Sequence, residues 1–176
     1  MTIANALTLL RLCLIPLIVV MIHERRFDLA FYTFTIAGIT DALDGYLARV
    51  MNQRTEIGAY LDALADKSLI AASFIALYGI QAVPYWLVVL VIFRDLMIVG
   101  AVAIAWLLNN PIPIEPLRIS KWNTAAQIVA VSFTLGAGAF GLDWPDVALG
   151  LQGLVAGLTL ISVAAYFARW FRHMAE

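Results

Sequence analysis

The chain has 176 residues, 63% of them hydrophobic types and 13% charged, with a formal net charge of −1. A soluble domain has about half apolar and about a quarter charged residues, so this composition, with a mean hydropathy of +0.91, excludes an ordinary soluble protein and predicts an integral membrane protein. The near-neutral charge gives no electrostatic case for nucleic acid, and the single cysteine, Cys13, rules out an intramolecular disulfide or a thiolate metal centre.

A helical crossing needs roughly 20 apolar residues, so six crossings with short loops use nearly the whole chain. The expectation is an all-α integral membrane protein of six transmembrane helices, a single membrane domain over residues 1–176. The first helix is predicted from about Ile3 to Ile22, ending at His23-Glu24-Arg25-Arg26. Arg11 interrupts its apolar run and no basic segment precedes it, so it reads as a retained helix and not a cleaved signal. The second is predicted from Phe27 to about Val50. After the turn Met51-Asn52-Gln53-Arg54, Thr55 is the expected N-cap of a third helix reaching Tyr78 and stopping at Gly79. Pro84 opens a fourth that reaches about Leu108, and Asn109-Asn110-Pro111-Ile112-Pro113 forms a loop. Ser120 is the expected cap of a fifth, which fades at Gly136 and Gly138 and ends by Gly141. The sixth runs from about Pro145 to Phe171.

With six spans, the termini and two of the loops share one side. That side holds Arg49, Arg54, Arg118, Lys121, Arg169 and Arg172, against Arg25 and Arg26 on the other. The positive-inside rule then places both termini in the cytoplasm. Trp86, Trp106, Trp122, Trp144 and Trp170 fall near predicted helix ends, as interfacial aromatic rings do; simple packing is the alternative.

Ionisable groups at membrane depth cost at least ~3 kcal/mol and are functional candidates by default. Asp41 and Asp44 lie on the second helix, Asp62, Asp66 and Lys67 on the third, Arg94 and Asp95 on the fourth. Asp41, Asp44, Gly45 and Ala48 share one helix face, as do Gly58, Asp62 and Asp66. A short turn makes the two helices antiparallel neighbours, so four carboxylates can converge in a pocket open to the cytoplasm. Together they need a counter-cation, and oxygen donors without His or Cys select Mg²⁺, Mn²⁺ or Ca²⁺. The competing reading is a set of structural ion pairs, which would not need Gly45, Ala48 and Gly58 to leave space beside the acids.

These residues form D-x2-D-G-x2-A-R-x8-G-x3-D-x3-D over residues 41–66, which resembles the signature of the CDP-alcohol phosphotransferases. The six-helix layout fits that family along the whole chain. The resemblance implies that the chain binds a CDP-linked alcohol, usually CDP-diacylglycerol, and that a second alcohol attacks the β-phosphorus while CMP leaves. It also implies that Asp41, Asp44, Asp62 and Asp66 hold one or two divalent ions, Mg²⁺ or Mn²⁺. Asp66 would double as the general base, and Gly45, Ala48, Arg49 and Gly58 would line the cytidine diphosphate site. A metal clamp on a diphosphate, a bidentate arginine and a carboxylate near the acceptor suit this chemistry.

Two further stretches bear on the acceptor. Asn5, Thr8, Arg11 and Pro16 form N-x2-T-x2-R-x4-P, similar to the first helix of phosphatidylglycerophosphate synthases and eukaryotic-type cardiolipin synthases. Ser120, Lys121, Asn123, Thr124 and Gln127 form S-K-x-N-T-x2-Q, and with Arg94-Asp95 resemble the cardiolipin synthase form more than the other. Ala63 departs from both groups, which often carry proline there. The expected reaction is cardiolipin synthesis from phosphatidylglycerol and CDP-diacylglycerol; the alternative is transfer to glycerol 3-phosphate. Arg94, Arg118 and Lys121 are candidate cations for the acceptor phosphate. A pair with Asp95 is the other reading of Arg94, and headgroup anchoring that of Arg118 and Lys121. An ion-coupled transporter is the rival class, disfavoured because the acids occur once, near one surface, without inverted repeats. A purely structural membrane protein is a third reading. Gly153 and Gly157, with Gly150 nearby, suggest a homodimer face, with packing inside the bundle as the alternative. No organelle transit segment is evident, so the expected location is a bacterial inner membrane with the active site facing the cytoplasm.

Overall fold

A computed structural model describes the backbone of residues 3–50, 56–107 and 117–174, and the side chains of residues 8–40, 64–100 and 117–169. Among the described residues the chain is all-helical: α1 (Ile3–His23), α2 (Phe27–Val50), α3 (Glu56–Gly79), α4 (Tyr85–Leu107), α5 (Arg118–Phe140) and α6 (Pro145–Met174). They form two compact units, one of Met1–Ala82 with Val131–Trp144, the other of Val83–Ala130 with Pro145–Glu176.

Three helix ends share one device. The amide of Arg26 donates to the Met21 carbonyl at 2.9 Å, that of Ala82 to Leu77 at 2.9 Å and that of Leu142 to Ala137 at 2.9 Å. Each bond closes a turn whose preceding residue is left-handed: Arg25 (φ 56°), Gln81 (φ 63°) and Gly141 (φ 63°). These are Schellman caps, which satisfy the last carbonyls of a helix. Gly141 occupies such a position without strain, whereas Arg25 and Gln81 carry a Cβ there. The helix stops at Gly79 as expected, and Gln81 makes the reversal two residues later. Pro84 directly precedes α4, and its carbonyl accepts from the Leu87 amide at 3.2 Å.

In the first unit α1 packs against both α2 and α3. Ile18 and Ile22 of α1, Ala30 and Phe34 of α2, and Phe74 and Leu77 of α3 are buried. The last turns of α5 lie against α2. A Cβ on Gly138 would meet the Phe27 ring at 2.6 Å, and one on Gly136 would meet Phe31 at 3.2 Å. Phe31 also meets Phe140 edge-on at 5.7 Å. So α5 does not fade at these glycines; they admit aromatic rings to its backbone, and the helix continues to Phe140.

In the second unit α4 packs against α6. Leu87, Val91, Arg94 and Ile98 form a buried stripe on α4, and Val155, Thr159 and Ser162 one on α6. On α5 the buried stripe is Asn123, Ala126, Gln127 and Ala130. Polarity is the reverse of a water-soluble bundle: Arg11, Arg94, Asn123 and Gln127 are buried, whereas Leu10, Ile36, Phe93, Leu96, Leu149 and Ile161 are exposed. Trp86, Trp122 and Trp144 are exposed too. Apolar surface outside and polar groups inside is what lipid solvation favours. Among the described residues one helix, over Pro145–Arg169, is long and apolar enough by itself to cross a membrane, and Thr8–His23 and Phe27–Thr40 are shorter apolar stretches.

Candidate active site

The aspartate motif falls on two helices joined by residues 51–55. Asp41, Asp44, Gly45, Ala48 and Arg49 occupy the last turns of α2, and Gly58, Asp62 and Asp66 the first three turns of α3. Helical backbone at all eight positions keeps the register that the spacing predicts, with Asp41, Asp44, Gly45 and Ala48 on one face of α2 and Gly58, Asp62 and Asp66 on one face of α3. The side chains of the first seven, Asp41 to Asp62, lie outside the described residues. Thr55, the expected cap, lies outside them too.

Asp66 is described, and its surroundings add a residue that spacing did not reveal. The Nη1 of Arg11 donates to Asp66 Oδ1 at 2.7 Å. The Arg11 side chain is 3% exposed and that of Asp66 35%. Arg11 sits on α1, one turn after the buried Thr8. A buried guanidinium needs a carboxylate, and removing either member of a buried pair leaves an uncompensated charge. Arg11 thus ties α1 to the helix that carries the last motif aspartate. An ionisable residue interrupting an apolar run was the sequence signal for it. Lys67, the next residue on α3, is partly exposed.

The cations proposed for an acceptor all belong to the second unit. Arg94 is 1% exposed. Its Nη1 donates to Asp95 Oδ1 at 2.5 Å, its Nη2 to Ser120 Oγ at 2.5 Å, and its Nε to Ser162 Oγ at 3.2 Å. One side chain thereby joins α4, α5 and α6, and the pairing with Asp95 weighed at the sequence level is present. Ser120 is a correction: it does not cap α5, which begins two residues earlier at Arg118. Its amide donates to the Leu117 carbonyl at 2.9 Å, and its hydroxyl is occupied by Arg94. Arg118 and Lys121 are exposed in the first turn of α5, where acidic residues are absent. Cations at the positive end of a helix dipole repel it, and the combination favours an anion.

Four further polar side chains are buried in this unit; the sequence singles out Asn123 and Gln127 only as part of the S-K-x-N-T-x2-Q stretch, and Thr159 and Ser162 not at all. Asn123 and Thr159 are fully buried, Ser162 is 0% exposed and Gln127 1%. The Thr159 hydroxyl lies 2.9 Å from Asn123 Oδ1 and 2.7 Å from the Val155 carbonyl. The Nδ2 of Asn123 and the Nε2 of Gln127 make no hydrogen bond. Polar types at i, i+3 and i+7 (Ser120, Asn123, Gln127) in an apolar helix were the available signal.

The motif acids supply only oxygen donors by sequence. Among the described residues no group of three or more His, Cys, Asp or Glu gathers, and three of the four motif aspartates are outside that set. Asp66 fits a hard divalent ion in donor chemistry, with Arg11 engaging its Oδ1.

A family model described as CDP-alcohol phosphatidyltransferase matches residues 1–170. Among curated relatives, a cardiolipin synthase (CMP-forming) of Homo sapiens is 36% identical over 155 residues, covering 79% of this chain and 52% of the relative. A probable cardiolipin synthase (CMP-forming) of Drosophila melanogaster is 36% identical over 183 residues, covering 93% of this chain and 56% of the relative. A CDP-diacylglycerol–glycerol-3-phosphate 3-phosphatidyltransferase of Cereibacter sphaeroides is 33% identical over 150 residues, covering 81% of this chain and 67% of the relative. The chain thus spans about half the length of the cardiolipin synthases it matches.

Proposed function

Because the chain belongs to the CDP-alcohol phosphatidyltransferase family, we propose that it transfers a phosphatidyl group from CDP-diacylglycerol to phosphatidylglycerol, forming cardiolipin and CMP. The observation that carries the reaction class is the family match over residues 1–170, which contains all eight motif positions. The choice of acceptor rests on the S-K-x-N-T-x2-Q stretch at Ser120–Gln127 and on the 36% identity to two cardiolipin synthases. Glycerol 3-phosphate is the second reading, favoured by the Cereibacter sphaeroides relative.

In this reading Asp41, Asp44, Asp62 and Asp66 hold one or two divalent ions, Mg²⁺ or Mn²⁺. Bound there, such an ion neutralises the diphosphate and stabilises departing CMP. Gly45, Ala48 and Gly58 let the cytidine diphosphate approach backbone, and Arg49 contacts its phosphate. The acceptor hydroxyl attacks the β-phosphorus. A phosphorus–oxygen ester bond forms, the anhydride bond breaks, and CMP takes the electron pair. Asp66 accepts the hydroxyl proton, and Arg11 keeps its carboxylate oriented. Arg118 and Lys121, at the start of α5, attract the acceptor phosphate. Arg94, engaged by Asp95, Ser120 and Ser162, holds the three helices that present them.

The decisive experiment is CMP release by purified protein in detergent with CDP-diacylglycerol and Mg²⁺ or Mn²⁺. Turnover with phosphatidylglycerol alone supports the proposal. Turnover with glycerol 3-phosphate alone moves the chain to phosphatidylglycerophosphate synthesis. Turnover with neither, and metal-dependent ion flux instead, would favour a transporter.

A further inference from the structure

The pair between Arg11 and Asp66, both in the first unit, has a geometry that proton transfer does not itself require. One guanidinium nitrogen, Nη1, stands 2.7 Å from one carboxylate oxygen, Oδ1, the distance of a charge-assisted hydrogen bond. The arginine is fixed: its side chain is 3% exposed, and it comes from α1, which packs against α3. Asp66 is not sealed in. Its side chain is 35% exposed, although its neighbour Ala65 and, one turn on, Leu69 are buried. The carboxylate therefore lies at the edge of the packed face of α3, held on one oxygen by a buried cation and open in part to its surroundings.

A carboxylate can meet a metal ion through one oxygen or through both. Ca²⁺ takes about six to eight oxygen ligands in a flexible arrangement and accepts both oxygens of one carboxylate, whereas Mg²⁺ demands a near-ideal octahedron. The two oxygens of one carboxylate stand too close together to fill two corners of that octahedron well. Mn²⁺ favours the same octahedral set of oxygens. A fixed guanidinium at hydrogen-bond distance from Oδ1 makes that oxygen a poor contact for a second cation, because like charges repel, and more strongly away from bulk water.

We infer that Arg11 sets the metal preference of the aspartate site: by holding Oδ1 of Asp66 it confines this carboxylate to ligation through one oxygen, which suits Mg²⁺ and Mn²⁺ and denies Ca²⁺ a ligand. This rests on the reading of Asp66 as a metal-binding aspartate. The donor chemistry of the motif acids alone admits all three ions; the pair with Arg11 discriminates between them. Arg11 is a positioning residue, acting on the ion through Asp66.

The test reads binding and not turnover. Wild type, Asp66→Asn, Arg11→Met and Arg11→Lys are purified as the full chain in detergent, stripped with EDTA and titrated with Mn²⁺, the free ion being counted by its EPR signal. Mg²⁺ and Ca²⁺ then compete for the bound Mn²⁺. Arg11→Met should move the ratio of the two displacing concentrations about tenfold in favour of Ca²⁺, the lower end of what the hydrogen-bond partner of a metal ligand is worth. Loss of the arginine charge acts alike on two divalent ions and cancels in the ratio. Arg11→Lys keeps a cation beside Asp66 and should hold the wild-type ratio. An unchanged ratio in Arg11→Met, with both affinities moved equally or not at all, overturns the inference, since a merely structural arginine does not distinguish the ions. Should Arg11→Met not fold, Arg11→Gln keeps an N–H for Oδ1 without the charge and must shift the ratio the same way in smaller measure; an unchanged ratio there overturns the inference too. Failure of wild type to bind Mn²⁺, or equal binding by wild type and Asp66→Asn, overturns the reading of Asp66 as a metal ligand, and this inference with it.

Discussion

Asp66 and Arg11 concentrate the residue-scale argument. If Asp66 takes the acceptor proton, Asp66→Asn keeps the size of the side chain and its hydrogen bond to Arg11, and removes the basic oxygen. We expect a folded, membrane-inserted protein that has lost at least ~10²-fold in CMP release, the lower end of general-base contributions; unchanged turnover would remove Asp66 from that role. Arg11→Met removes a buried charge and leaves Asp66 with part of its surface in solvent. It should lower the detergent melting temperature and reduce kcat more than the half-saturating level of CDP-diacylglycerol, and Arg11→Lys should restore part of the loss. The Gln81 cap makes a prediction of opposite sign. A left-handed residue with a Cβ is strained by ~1 kcal/mol relative to glycine, so Gln81→Gly should raise the melting temperature, and a fall would mean that the Gln81 side chain does more than occupy the turn. The motif spacing singled out the aspartates in the sequence and set their places on α2 and α3. It could not make the Arg11–Asp66 pair legible, because its members are 55 residues apart and no periodicity links residues on different helices.

At the scale of the helices, α2 and the end of α5 meet where glycine replaces a side chain. Gly138→Ala would put a Cβ 2.6 Å from Cγ of Phe27, the root of the ring and not its flexible tip. The ring or the helix must shift, and overpacking of this kind costs about 1–3 kcal/mol. A drop in melting temperature is expected, partly recovered by adding Phe27→Leu; additive effects of the two changes would deny the contact. Helix positions were legible to within about three residues, because long apolar runs punctuated by Gly, Pro and charge state their own limits. Two readings failed for the same reason. Ser120 as a cap and Gly136–Gly138 as a fading end both follow from local propensity, and both were overridden by tertiary partners: Arg94 for the serine, Phe27 and Phe31 for the glycines.

For the molecule as a whole, inverted polarity carries the membrane reading, while six crossings and cytoplasmic termini remain our proposal from charge asymmetry. In a Cys13→Ala background, Gln53→Cys should react with impermeant maleimide only from the cytoplasmic face and Glu24→Cys only from the opposite one; the reverse pattern would turn the topology over. A bacterial inner membrane is the proposed location. Among the described residues nothing lies within 4 Å of a Cβ added at Gly150, Gly153 or Gly157 of α6; a homodimer face there is our proposal. Gly157→Leu should therefore reduce the particle size in detergent, and an unchanged size would discard that face. The acceptor was the least legible property of the sequence: the S-K-x-N-T-x2-Q stretch bears on it, but the burial of Asn123 and Gln127 shows only in the structure.

The ion pair between α1 and α3 also sets an order of events during synthesis. Arg11 leaves the ribosome 55 residues ahead of Asp66, a delay of roughly 3 to 11 s at ~5–20 residues per second. Throughout that interval α1 carries a cation whose transfer to the bilayer centre costs ~2.5–3.5 kcal/mol without its carboxylate. A helix made before α3 thus settles only after it, and nascent chains arrested before α3 should hold α1 in the membrane less firmly than chains that have reached it.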